Sequence, residues 1–106
     1  QINLGVMYED GKGVLTNYKT AMKWYKRAAE QGDPRAQVNL GLMYAKGKGV
    51  LPDNISAYIW LYIAALTGDR DAVSNRDIVA KKMNSADIIS AQALARRCIT
   101  KKYKWC

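Results

Sequence analysis

The sequence contains no histidine, only two cysteines, and no apolar run near the ~20 residues that a membrane-crossing helix needs. Without imidazole, the usual general base at neutral pH, the commonest metal ligand and every histidine-dependent triad or dyad are excluded. Two cysteines with no histidine cannot complete a four-ligand zinc site, so neither a metal nor a cofactor is expected. The short GKGV segments lack a preceding strand and the Lys-Ser/Thr ending of a nucleotide-binding loop. No membrane span is expected. Asp69, Asp71 and Asp77 form the one acidic cluster, and at the start of a helix such residues cap it and complement its dipole. The residues therefore point away from an enzyme.

What is present is charge and repetition. Seventeen lysines and arginines against nine acidic residues give a net charge of +8 over 106 residues. That excess suits an acidic partner, a nucleic acid or an anionic membrane surface, or it is simply a solvated surface. The one dense basic stretch is the tail, where Arg96, Arg97, Lys101, Lys102 and Lys104 occur without an acidic residue among them. Tyr103 and Trp105 alternate with these lysines and are read either as base-stacking rings or as anchors docking the last helix. With no base-reading helix in view, nucleic-acid binding would be weak, sequence-blind and salt-dependent.

Placing Gln1 over Gln37, a shift of 36 positions, sets QINLGVMYEDGKGV against QVNLGLMYAKGKGV and AMKWYKRAAEQGD against AYIWLYIAALTGD. Self-similarity with a period of about 20–50 residues marks a solenoid or an array. Within each period Leu4 and Tyr8, then Leu40 and Tyr44, recur at helical spacing until paired glycines break the pattern. Asn17 and Asp53 stand where an N-cap is needed before a second helix. Asp33-Pro34 starts the next one, since proline's missing N–H would have been unpaired there in any case. Gly5 and Gly41 lie inside helices, where glycine costs about 1 kcal/mol relative to alanine. Close approach of a neighbouring helix is the expected compensation, with the Trp24 or Trp60 ring over the gap.

NLGVMYEDGKGV followed by KTAMKWYKRAAEQGDPRAQ closely resembles the SEL-one-like repeat, a relative of the tetratricopeptide helical repeats. The final third, with Trp60, Leu61, Ala64 and Ala65, then Arg76-Asp77, then AQALAR, is similar to the C-terminal part of many bacterial members. The resemblance implies an all-α fold: a right-handed α/α solenoid of antiparallel helix pairs. Two repeats are expected, at 1–36 and 37–71, with a C-terminal capping pair over 72–106. In that pair Ile78, Val79 and Met83 supply one apolar face, Asn84 and Asp87 a capping box, and Ile88, Ala91, Ala95 and Cys98 a stripe. Gln1 already falls within a helix of the repeat, so the chain is expected to continue upstream, with self-association through its apolar edge at Ile2, Val6 and Met7.

The resemblance also implies a concave face used to bind proteins, and no chemistry. Some cysteine-rich members have been described as binding penicillin or as weak β-lactamases, but this chain lacks SxxK and the family's disulfide in each repeat. If the first helix of each repeat lines the concave face, the contact residues are Asn3, Val6, Met7 and Asp10, then Arg35, Asn39, Leu42, Met43 and Lys46. Asparagine amides both donate to and accept from an extended peptide backbone, and methionine offers an adaptable floor; alternatively Asn3 and Asn39 bond the next helix. The leading expectation is a non-catalytic adaptor for a protein or peptide, and the alternative is a structural C-terminal cap of a larger repeat protein. Cys98 and Cys106 are read either as a disulfide, which would stabilise the fold by about 2–3 kcal/mol, or as two separate thiols. A disulfide, with the family's habit, places the chain in a bacterial periplasm or outside the cell.

Overall fold

The computed structural model describes residues 18–48 and 50–103, in which there are five helices and no strands. They are α1 (Tyr18–Glu30), α2 (Pro34–Lys46), α3 (Asn54–Ala65), α4 (Arg70–Ala80) and α5 (Ser85–Thr100). Short connections turn each helix back along its predecessor, giving an all-α, tetratricopeptide-like solenoid of about two repeats.

Four of these helices start on a side-chain cap. Asp33 accepts from the Arg35 N–H at 3.0 Å, with Pro34 in the first turn. Asp69 accepts from the Ala72 N–H at 2.9 Å, and Asn84 from the Asp87 N–H at 2.8 Å. Asp53 accepts from both the Ser56 N–H at 3.0 Å and the Ser56 hydroxyl at 2.7 Å. Each cap satisfies a first-turn donor that has no partner within its helix. The expected cap Asn17 lies outside the described residues.

Asp53 also ties α3 to the end of α2, its N–H donating to the Tyr44 carbonyl at 2.9 Å. Burial works against the Asp53 carboxylate, but hydrogen bonds from Ser56 and the Ile55 N–H outweigh it and hold its pKa below the ordinary 3.8. Burial, and then the nearby Asp53 charge, push the Tyr44 phenol up. A folded-state carboxyl that titrates below its unfolded value gives stability that is whole above that value and fades as pH falls through the folded one. Asp53→Ala is therefore expected to cost about 1 kcal/mol at neutral pH. The gap from the parent should narrow as acid denaturation curves are taken down through and below the ordinary carboxylate value of 3.8.

Helix α3 is the centre of the packing and touches α2, α4 and α5. Its sequence, NISAYIWLYIAA, is apolar on all sides, as a helix surrounded by others must be. Trp60, Leu61, Ala57 and Ala64 are inaccessible or nearly so, and Leu40 and Tyr25 join them from α2 and α1. Gly41 lets α2 approach α3: a Cβ there would lie 2.8 Å from Leu61 Cγ and 3.1 Å from the Ala57 carbonyl oxygen. The compensation expected from an indole ring therefore comes from Leu61 and the α3 backbone. Trp60 is buried in the core, and Trp24 is half-buried under the Arg27 guanidinium.

Side-chain amides also link helices. Gln37, 1% exposed, donates its amide to the Ala29 carbonyl at 3.1 Å and so joins α2 to the last turn of α1. Gln92 of α5 donates to the Tyr58 hydroxyl of α3 at 3.1 Å. Helix α5 buries Ala91, Ala95 and Cys98, with Ile88 half-buried beside them, which matches the expected stripe. On α4 only Val79 and Ala72 are buried; Ile78, expected on the apolar face, is 50% exposed because it sits next to Val79 around the helix.

Beyond α5, Lys102 and Tyr103 adopt positive φ values of 56° and 66°, and the Tyr103 N–H returns to the Cys98 carbonyl at 2.8 Å. This turn lays the Tyr103 ring against Gly32, between α1 and α2. Cys98 is disulfide-bonded. The other cysteine in the sequence, Cys106, lies outside the described residues.

Candidate interaction surface

Helix α2 divides its residues between two faces by simple periodicity. Ala36, Leu40 and Met43 face the core, while Arg35, Asn39, Leu42 and Lys46, spaced four, three and four apart, run along the other side. Arg35 and Lys46 are exposed, and Asn39 and Leu42 are half-buried. Met43 is only 2% exposed and cannot serve as an adaptable floor for a ligand. It lies one turn from both Leu40 and Asn39, and the core claims it. Asn3, Val6, Met7 and Asp10 lie outside the described residues.

Between α2 and the start of α4 is a shallow depression of about 250 Å³, lined by Arg35, Val38 and Asn39 on one side and Asp69 and Asp71 on the other. Val38 forms its apolar base at 8% exposure. Asp69 spends one carboxylate oxygen on capping α4, whereas the exposed Asp71 carboxylate enters no ion pair among the described residues. The Arg35 guanidinium stands 3.7 Å from Asp33 and keeps 74% of its side chain in solvent. Among the described residues, the Asn39 amide makes no hydrogen bond.

Thirty-six positions after Asn39, at the same place on the next first helix, stands Asn75. It is half-buried, and its amide nitrogen donates to the Asp71 carbonyl at 2.9 Å, leaving its oxygen to accept. Asn3, Asn39 and Asn75 thus recur at one position of the period. Asn75 and Asp71 are not among the contact residues expected from the sequence, because the strict repeat fades after residue 71. Carrying the same offset once more along the chain finds both.

The Sel1 repeat family profile matches residues 1–33 and 34–69. The chain belongs to the Sel1 repeat family. The two matched segments end at Asp33 and Asp69, the caps of α2 and α4. Aligning a chain on itself measures a period but leaves its phase free, and the caps supply the phase. Among solved structures, the chain matches c5321, a protective antigen present in uropathogenic Escherichia coli strains displaying an SLR fold, with a TM-score of 0.91 and 36% identity. It also matches a Sel1 repeat protein from Oxalobacter formigenes, with a TM-score of 0.69 and 39% identity. These matches cover 96% and 70% of this chain but only 22% and 30% of those proteins. No curated protein matches the chain. Sel1 repeats are generally protein-interaction modules and non-catalytic scaffolds. Among the described residues, no helix is long and apolar enough to cross a membrane.

Proposed function

We propose that this Sel1 repeat segment is an adaptor whose inner face, formed by α2 and α4, binds an extended stretch of a partner protein. The observation that carries this reading is Asn39, an amide half-buried in the depression with no hydrogen-bond partner among the described residues. A side-chain amide offers two donors and an acceptor, enough to bracket one peptide unit of an extended chain. The Asn75 oxygen, about one repeat further on, takes a second backbone donor, so the two amides hold main chain rather than any particular side chain. Arg35 on one wall and Asp71 on the other then select charged side chains of either sign along that stretch. Because Cys98 is disulfide-bonded, the reading places the adaptor in an oxidising compartment, the periplasm or the cell exterior.

Panning a displayed library of random peptides against the chain tests this. Enriched peptides should lose about tenfold or more in affinity for the Asn39→Ala, Asn75→Ala double variant, since each hydrogen bond contributes roughly 0.5–1.5 kcal/mol. Its circular dichroism should be unchanged, because both side chains lie off the core. Failure to enrich any peptide, or equal binding by the double variant, contradicts the reading.

A further inference from the structure

A second surface, separate from the α2–α4 depression, collects positive charge at the end of the molecule where α1 and α5 finish. Arg97 and Lys101 line two adjoining depressions on α5, one shared with Leu94 and the other with Arg96 and Thr100. Lys102, next in the chain, lines a third with Arg27, Glu30 and Gln31 of α1 and the turn after it. The contact of Tyr103 with Gly32 joins these sites into one band by holding the end of α5 against the α1–α2 turn. The band holds five cations, with Glu30 as the one carboxylate lining it. The ion pairs among the described residues, Arg35–Asp33 and Arg76–Asp77, include none of these cations.

A helix C-terminus favours a cation in its last turn, which accounts for Arg27 and Arg97. The helix end also suits Lys101 at its C-cap and Lys102 beside it, but it does not account for Arg96, which precedes the last turn, nor for two leucines left in water at the same end. Leu94 is 43% exposed among the arginines, and Leu66, 60% exposed, caps the end of α3. We propose that this band docks the chain onto an anionic phospholipid surface, the cations meeting headgroup phosphates while Leu94 enters the acyl boundary. Cations with exposed aliphatics suit that interface. A single-stranded nucleic acid would instead favour open rings for stacking. Among the described residues of this band, the Trp24 ring carries the Arg27 guanidinium at 5.2 Å, and Tyr103 packs on Gly32.

The test is co-sedimentation of the full chain with vesicles of phosphatidylcholine alone and of phosphatidylcholine mixed with phosphatidylglycerol, at low and physiological salt. Binding is expected to the mixed vesicles only, and to weaken with salt. Each lysine or arginine near such a surface strengthens binding about fivefold, so Arg96→Gln, Arg97→Gln, Lys101→Gln together should weaken it about a hundredfold. All three side chains are exposed, and the variant should keep the parent's circular dichroism. A control of equal charge, Lys46→Gln, Lys81→Gln, Lys82→Gln, acts at the other end of the bundle, where α2 and α4 finish, and should weaken binding far less. The proposal is overturned by no binding to mixed vesicles, by equal binding to neutral ones, by equal losses in the two triple variants, or by tighter binding to single-stranded DNA than to mixed vesicles.

Discussion

Gly41→Ala is expected to destabilise the protein by about 1–3 kcal/mol, the range found when an extra methyl is forced into a well-packed core. The same exchange at an exposed helix position would stabilise it by up to about 1 kcal/mol, so the sign of the effect is itself informative. The added Cβ would meet Leu61 at its branch carbon, 2.8 Å away, and the Ala57 carbonyl oxygen at 3.1 Å. Neither is the free end of a flexible side chain, so α2 and α3 must separate or tilt. A double-mutant cycle sharpens the prediction. In a Leu61→Ala background, urea denaturation should show a smaller cost for Gly41→Ala, because the branch carbon is gone. A stabilising or neutral Gly41→Ala would mean that the two helices do not pack at this distance.

Trp60→Ala should have the largest effect of any single truncation, about 3–5 kcal/mol. Trp60 is 1% exposed and is the largest fully buried side chain among the described residues. It sits on the helix that joins α2, α4 and α5. Domains of this size are stable by only about 5–15 kcal/mol, so the variant is expected to populate unfolded chain at physiological temperature. Thermal melts followed by far-ultraviolet circular dichroism measure this directly. A loss below about 1 kcal/mol would place Trp60 outside the core.

These two positions also show how much of the molecule was legible in its sequence. The 36-residue offset, the Asp33, Asp53 and Asp69 caps and the glycines between helices announce paired helices because each acts within a turn or two of its own position. That Gly41 permits a close approach was legible for the same reason. Which side chain fills the space was not, since it depends on the rotation of α3 about its axis, and α3 is apolar all round and shows no preferred face. Met43 misled for a related reason: one turn from both Leu40 and Asn39, it has a sequence position that fits either face, and only the packing of α3 decides. Ile78 beside Val79 is a similar choice between neighbours on α4, settled in favour of Val79.

Of the proposed contact residues, Arg35 and Asn39 line the depression, Leu42 and Lys46 run along the same helix face, and Asp71 lines it from α4, with Asn75 one turn further along that helix. Reading one helix at a time finds the first four. A groove is made by two helices, and its second wall becomes visible only when the repeat is carried past the point where its apolar pattern weakens.

The α2–α4 face is the proposed seat of a partner's chain. The most direct measurement is amide chemical-shift mapping of the isotopically labelled protein titrated with a peptide selected from the random library. The account predicts perturbations concentrated at Arg35, Val38, Asn39, Asp71 and Asn75, with α5 little changed; perturbations centred on α1 and α5, leaving Asn39 and Asn75 unmoved, would contradict it.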